Sequence, residues 1–560
     1  MLIKKKTLEN RKKSYFRIGL LLGFMILFSA CEKLEEEVEL EKSERTASQY
    51  AEGEADETLP LVLGRKLENP YTVENMKAAV AVLGRRGYTL LEAENLEESH
   101  YYIKFKPKNE EEYSALLANN DLTLYSYPLD YEVLERGSFY HDPTLPQDVP
   151  TYQYASVRKE NKLEVTCEYE VLAKLYIPEE DERLLELNQA YVDMLLNQAY
   201  AQTGTGGGNG TPIEVDIDEP LVTPYRPGGR ILIYDTRLQM NIGLQGAEIR
   251  ANRWFTTYKA TTDFAGNYRM SKTFNRRCNY SLHMEHQHFH IRKATVLGAL
   301  VWINGPKQDA DWNHTIASGY NRFAGHILRA AYMYHYRPID GLQRPYRPFG
   351  TQTGYVAVDA KETWQGISSP VTNVVKIARY KNNESGNVEM LSDDVFGTTI
   401  HETAHVSHVI RMNAGVIQFS QVSTQIQESW ALAVEWWLTK REYQARGVSN
   451  YGEWNYNHPL PTNMPREHGY QYWRLSFNDV SADYTTLFIN LVDSHNELNR
   501  EYTGRRFGFV NDQVSGYTLA GIEANILKHS YGLSSLSQKL KQHKPAGVTD
   551  AQIDLLLSFY

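Results

Sequence analysis

Apolar positions recur along the chain with two different periods. Val73, Met76, Val80 and Leu83 keep a helical spacing behind Thr72, a capping residue, and Gly84 and Gly87 end the run. Tyr101 to Lys106 alternates as a strand, Glu110 to Leu117 reads as a helix, Leu122 to Tyr127 as a second strand, and Asp181 to Tyr200 as a longer helix. This order predicts an α+β module over residues 59–201. Residues 202–226 open with QTGTGGGNGTP, which lacks the lysine of a phosphate-binding loop and reads as a flexible linker. From 227 to 292, blocks such as Gly229 to Asp235, Gly243 to Arg250 and Thr262 to Tyr268 alternate with glycine turns and predict a β-sandwich. Within residues 293–560, Gln427 to Trp436 is a strongly helical segment and Val371 to Ala378 a β-rich run. The fold class expected is therefore multidomain α+β: N-terminal α+β module, central β-sandwich and a mainly α-helical C-terminal domain.

The ends and the charge change this picture. The chain has 560 residues, enough for several domains, and its 42% hydrophobic and 23% charged residues exclude both a disordered chain and an integral membrane protein. A net charge of −10 leaves no overall basic footprint for nucleic acid, so no nucleic-acid partner is expected. The 39 tyrosines suit strand-rich structure and peptide- or carbohydrate-facing surfaces without selecting either. Residues 1–17 carry seven lysines and arginines against Glu9, and residues 18–30 form a short apolar run ending in small residues, a secretory leader. Phe28-Ser29-Ala30-Cys31 resembles the lipobox of bacterial lipoproteins, which implies a signal peptide over 1–30 and a membrane partner reached through a lipid on Cys31. Residues 32–57 hold eleven acids and three bases, a self-repelling, solvated tether over 31–58. The run Cys31 to Glu36 is similar to the acidic export signal of Bacteroidota surface lipoproteins, which implies an outer-membrane lipoprotein exposed at the cell surface; a plain spacer is the alternative.

The candidate chemistry lies in the last domain. His401-Glu402-Thr403-Ala404-His405 is an H-E-x-x-H; on a helix its two imidazoles project from one face, able to ligate one Zn²⁺, with Glu402 beside them as a general base for a metal-activated water. Val406, Val409 and Ile410 continue an apolar stripe, as a buried helix requires. A metzincin needs glycine at 408 and histidine at 411, where this chain has His408 and Arg411. Glu428 follows His405 by 23 residues within a strongly helical segment; Glu435 is the competing carboxylate. Four further histidines, His283, His286, His288 and His290, crowd into eight residues, readable as a wet strand face or as a second metal site. Cys167 and Cys278 show no metal-ligand spacing and could be paired or free.

On these residues the C-terminal domain, 293–560, resembles the gluzincins, the thermolysin-like zinc metallopeptidases. The resemblance implies His401, His405 and Glu428 as metal ligands, Glu402 as catalytic base, and an upstream edge strand, here Val371 to Ala378, that binds the substrate backbone. It departs from the thermolysin pattern at Gln427, where asparagine is usual, and at Leu432, where an acid is usual, so support for His401 must come from elsewhere, such as Glu435. Gluzincins add a tyrosine or histidine that stabilises the oxyanion; among His468, Tyr470, Tyr472 and Tyr484 the choice falls on Tyr470. The blocks of 227–292, chiefly the Asp263-Phe264-Ala265-Gly266-Asn267-Tyr268 turn, resemble the carboxypeptidase regulatory-like domain, a transthyretin-like β-sandwich. The function expected is a surface-anchored zinc-dependent hydrolase of peptide bonds in extracellular proteins or glycoproteins; the rival is a binding or adhesion lipoprotein with a degenerate metal site.

Overall fold

The computed structural model describes residues 59–205, 223–293, 300–345, 356–361, 367–369, 374–383, 386–412, 415–449, 451, 484–496 and 510–560. The leader, Cys31 and the acidic tether lie outside them. The chain is a multidomain α+β protein with several sheets and a helical C-terminal region. It divides into two compact units: Glu54–Ile339 with Arg344–Thr403, and Asp340–Gln343 with Ala404–Tyr560.

In the first unit, helix Val73–Arg85 starts where Thr72 accepts a hydrogen bond from the Asn75 amide, and it buries Met76, Ala79, Val80 and Leu83. The three-stranded antiparallel sheet beside it has His100–Lys106 in the middle, between Gln153–Arg158 and Glu168–Leu175. Because strand side chains alternate, Tyr102 enters the core shared with that helix, while Ile103 and Phe105 enter a second core with Leu116, Leu122 and Leu124. The expected strand at 122–127 is reduced to a single bridge between Tyr125 and Tyr154, since Leu122 and Leu124 turn into the second core and Pro128 ends any ladder. The helical run at 181–200 breaks at Asn188, whose extended backbone and side chain cap a new helix, Gln189–Thr203.

Strand Gly228–Asp235 pairs with Met240–Gly243, Asn267–Arg269 and, in parallel, His314–Ile316. A second, antiparallel sheet runs in the order Trp302–Gln308, Cys278–His283, Glu248–Arg253, Thr256–Thr261. The turn at 263–268 forms because the Asp263 carboxylate accepts from the Ala265 and Asn267 amides, and Gly266 has φ +86° with no room for a Cβ, which would meet the Ile231 carbonyl oxygen at 2.0 Å. Cys167 and Cys278 are both buried and free.

A mixed sheet follows, ordered Glu285–His286, Phe289–Lys293, Val356–Lys361, Val374–Ala378, Ile367–Ser369. The expected edge strand is therefore corrected. Val374–Ala378 has a parallel neighbour, Val356–Lys361, on one side and an antiparallel one, Ile367–Ser369, on the other, so most of its backbone groups are already used.

Helix Gly319–Tyr336 places Arg329 against Asp235, Nη1 to Oδ2 at 3.0 Å, with both side chains buried. Asp235 also accepts from the Arg237 and Leu238 amides. Replacing one member of such a pair strands the other charge in the interior. Asp235→Asn, which keeps an acceptor for those amides, is expected to destabilise this unit by about 3–5 kcal/mol. Denaturant unfolding measures this, and a loss below about 1 kcal/mol would contradict a buried ionic role for the pair.

Candidate metal centre

The helix that carries H-E-x-x-H is Ser392–Arg411, unbroken over 20 residues. Its start is fixed from outside by a reciprocal exchange: the Thr236 amide donates to Ser392 Oγ at 2.8 Å and the Ser392 amide to Thr236 Oγ1 at 2.9 Å. One of the orphan amides of a helix start is thereby satisfied, and Asp393 and Asp394 in the first turn suit the positive end of the helix dipole. Further along, Thr399 and Thr403 return their hydroxyls to the Val395 and Thr399 carbonyls, so these polar side chains sit in an apolar interior without an unmet donor. His401, Glu402 and His405 are all buried, at 4–6% exposure.

The second contributing helix is Thr424–Ala445, where Glu428 is 3% exposed. The turn before it is tied by Gln427, whose Nε2 donates to the Phe419 and Val422 carbonyls at 3.2 and 2.8 Å. The glutamine that departs from the gluzincin pattern thus fixes the entry to the helix bearing the glutamate. Next to Glu428, Ser429 Oγ lies 2.7 Å from Thr485 Oγ1, and Trp430 packs edge-on to Phe488.

One ligand atom each from His401, His405 and Glu428 lies within 4.8 Å of the others, and His405 Nε2 stands 3.3 Å from Glu428 Oε2. Two ligand atoms about 2.1 Å from one tetrahedral zinc are about 3.4 Å apart, so this pair has the separation that a shared ion requires. Two imidazoles with one carboxylate are also the donor set of a catalytic zinc site. A buried His-His-Glu group able to hold a metal ion is therefore present. Glu435, the competing carboxylate, is buried two turns further along the same helix and outside this group.

The other sequence-derived candidates fare differently. His468, Tyr470 and Tyr472 lie outside the described residues. His283, His286, His288 and His290 form no metal group among the described residues, and they do not share a strand face: Glu285–His286 and Phe289–Lys293 are the arms of a hairpin. His283 and His290 are buried, whereas His286 and His288 are partly exposed. His286 donates to the Gly246 carbonyl, lies tilted against the rings of Phe289, Tyr332 and Tyr336, and burial holds its pKa below the ordinary value; His290 is fully buried.

Two buried groups near the end of the motif helix escaped the sequence reading. His408 packs against the edge of the Phe419 ring, and burial, reinforced by His405, lowers its pKa to about 3, so it is a neutral core residue. Glu523 receives the Gln343 amide at 2.6 Å and lies 3.5 Å from Ser407 Oγ; burial raises its pKa to about 7.

No family model, curated protein or solved structure matches the chain.

Because the folded state binds the Glu523 proton more tightly than the unfolded chain, the stability this group confers is complete below its ordinary value of 4.5 and is lost as pH rises through about 7. Urea midpoints between these limits should fall with pH in the wild type and flatten in Glu523→Gln. Equal slopes in the two proteins would exclude the effect.

Proposed function

We propose that the chain is a zinc-dependent metallopeptidase of gluzincin type that hydrolyses peptide bonds in extracellular proteins or glycoproteins. The observation that carries this reading is the buried convergence of His401, His405 and Glu428 on one point, with Glu402 in the same helical turn as the two histidines. Zinc, when bound, would act as a Lewis acid and make a water acidic enough to ionise near neutral pH.

The chain's own residues supply the rest. As ligands His401 and His405 would bring no charge and Glu428 one negative charge, so a bound zinc dication would keep a net positive charge suited to an anionic transition state. Glu402 takes a proton from the attacking water and returns it to the departing amine, the role of a carboxylate one residue beyond the first ligand. Tyr470 is our choice for the donor to the oxyanion. A hydroxyl there would stabilise charge that appears only in the transition state.

We further propose that the protein is an outer-membrane lipoprotein anchored through a lipid on Cys31 and facing the cell exterior. The support is in the sequence: the basic and apolar leader, the cysteine at its end and the acidic stretch after it. Such a tether would set the catalytic domain away from an anionic membrane surface.

Two tests separate these readings. Glu402→Gln should keep about one zinc per chain while peptide hydrolysis falls by roughly 10²–10⁴-fold, and His401→Ala should lose the zinc itself. Full hydrolysis in Glu402→Gln would exclude the mechanism; a folded wild type that binds no zinc would favour an adhesion lipoprotein. Metabolic labelling with a radioactive fatty acid should mark the wild type and not Cys31→Ala.

A further inference from the structure

The second unit contains a short segment drawn from far away in the sequence. Residues 340–343 run between two stretches of the first unit, yet they pack with Ala404–Tyr560. Their backbone is unusual: Asp340 has φ +54° and Gly341 φ +81°. Two successive residues in the left-handed region make a tight reversal, and aspartate is among the few side chains that accept it. A Cβ on Gly341 would meet the Ala520 Cβ at 3.2 Å, so the turn lies close against helix Leu519–Asn525. Such a conformation persists where the surrounding groups hold it.

Both ends of the segment are held, each by a different ligand-bearing helix. At Asp340, Oδ2 accepts from Trp437 Nε1 at 2.9 Å and meets Arg441 Nη1. Trp437 and Arg441 stand on helix Thr424–Ala445, about 14 and 20 Å along its axis from Glu428. At the other end the Gln343 amide donates to Glu523 Oε2 at 2.6 Å, and Ser407 Oγ stands 3.4 Å from the Gln343 carbonyl and 3.5 Å from Glu523 Oε1. Ser407 follows His405 closely on the motif helix, and Arg411 Nε, one turn further on, stands 3.9 Å from the same Glu523 oxygen. Glu523, 2% exposed, therefore gathers the segment and the last turn of the motif helix at one carboxylate.

His405 and Glu428 sit on separate helices, and a metal constellation has to be held within about 0.5 Å of its working geometry. Direct packing fixes part of that separation. The segment 340–343 adds a second tie between the same two helices, and a tie made before the metal arrives lowers the ordering cost of binding it. We infer that 340–343 is a strap that sets the spacing of the His405 and Glu428 helices, with Glu523 and Asp340 as positioning residues; the inference rests on the zinc reading of that centre. Neither residue belongs to the ligand group, and each acts through the helix it holds. The two ties are unequal. Asp340 and Arg441 are 40% and 39% exposed, where an ion pair contributes little, whereas the Glu523 end is buried.

The test is the zinc affinity of the full chain, by competition with a chelator, together with the visible spectrum of the cobalt(II)-loaded protein, which reports ligand geometry. Glu523→Ala should weaken zinc binding about tenfold and change the cobalt spectrum. Glu523→Gln, which keeps an acceptor for the Gln343 amide, should bring affinity back to within about twofold of wild type. Asp340→Ala should cost about two- to fivefold, and Asp340→Asn, which accepts the same turn and keeps an acceptor for Trp437, less than that. Ile553→Val, at a buried position of helix Asp550–Leu557 in the same unit, is the control for lost stability: its urea midpoint should fall with zinc affinity unchanged. Wild-type affinity and an unchanged cobalt spectrum in Glu523→Ala, or in Asp340→Ala if Glu523→Ala does not fold, would overturn the strap and leave the metal centre standing. A loss in Ile553→Val as large as in Glu523→Ala would do the same. A folded wild type that takes up no zinc would overturn the metal centre, and the strap's role with it.

Discussion

An imidazole that is to hold a metal must leave water and still point its nitrogen at a fixed place. The helix Ser392–Arg411 meets these demands together. Its four-residue repeat sets His401 and His405 one turn apart, its hydroxyl side chains are returned to its own backbone, and its first amide is met by Thr236. Fraying would undo the pairing of the histidines, and a shift of one residue would turn both of them, with the glutamate between, by about 100° away from their present direction. The polar exchange at residue 392 and the apolar packing of Val406 and Val409 thus serve one end: a fixed helical register.

The same economy governs the charges taken into the interior. Arg329 is met by Asp235 and lies over the Phe396 ring; Arg250 is met by two glutamates and a carbonyl. In both places the cation is surrounded before any ligand arrives, which is what a buried guanidinium requires. The contrast with Glu285 and Glu523 is informative. These acids are buried with less compensation, and both are displaced toward the protonated form. Groups left short in an otherwise satisfied interior are where binding or pH dependence is to be sought.

How much of this was legible depended on the distance over which each feature is decided. The two candidate metal-binding histidines were legible because their geometry follows from spacing on one helix, whereas Glu428 was reached through the resemblance to a known family. Thr72 and the Asp263 turn were legible locally, since each closes hydrogen bonds within four residues. Whether Val374–Ala378 lies at an edge was not legible, because it is settled by pairing with Ile367–Ser369 and Val356–Lys361, and a strand's own pattern does not state its neighbours. The histidine-rich stretch misled for a related reason: alternation fits a strand, but a reversal at residues 287–288 sends the two arms back to back.

The two cysteines carry a separate consequence. Cys167 sits in the core with Ile103 and Phe105, whereas Cys278 lies on the strand paired with Trp302–Gln308, beside the Tyr225 hydroxyl at 3.0 Å. Burial pushes both thiols up, Cys278 to about 11, so neither supplies thiolate to an alkylating reagent while the chain is closed. Each becomes a clock for the breathing of its own core. The rate at which each is alkylated reads how often that part of the chain opens, at two places, with no probe added.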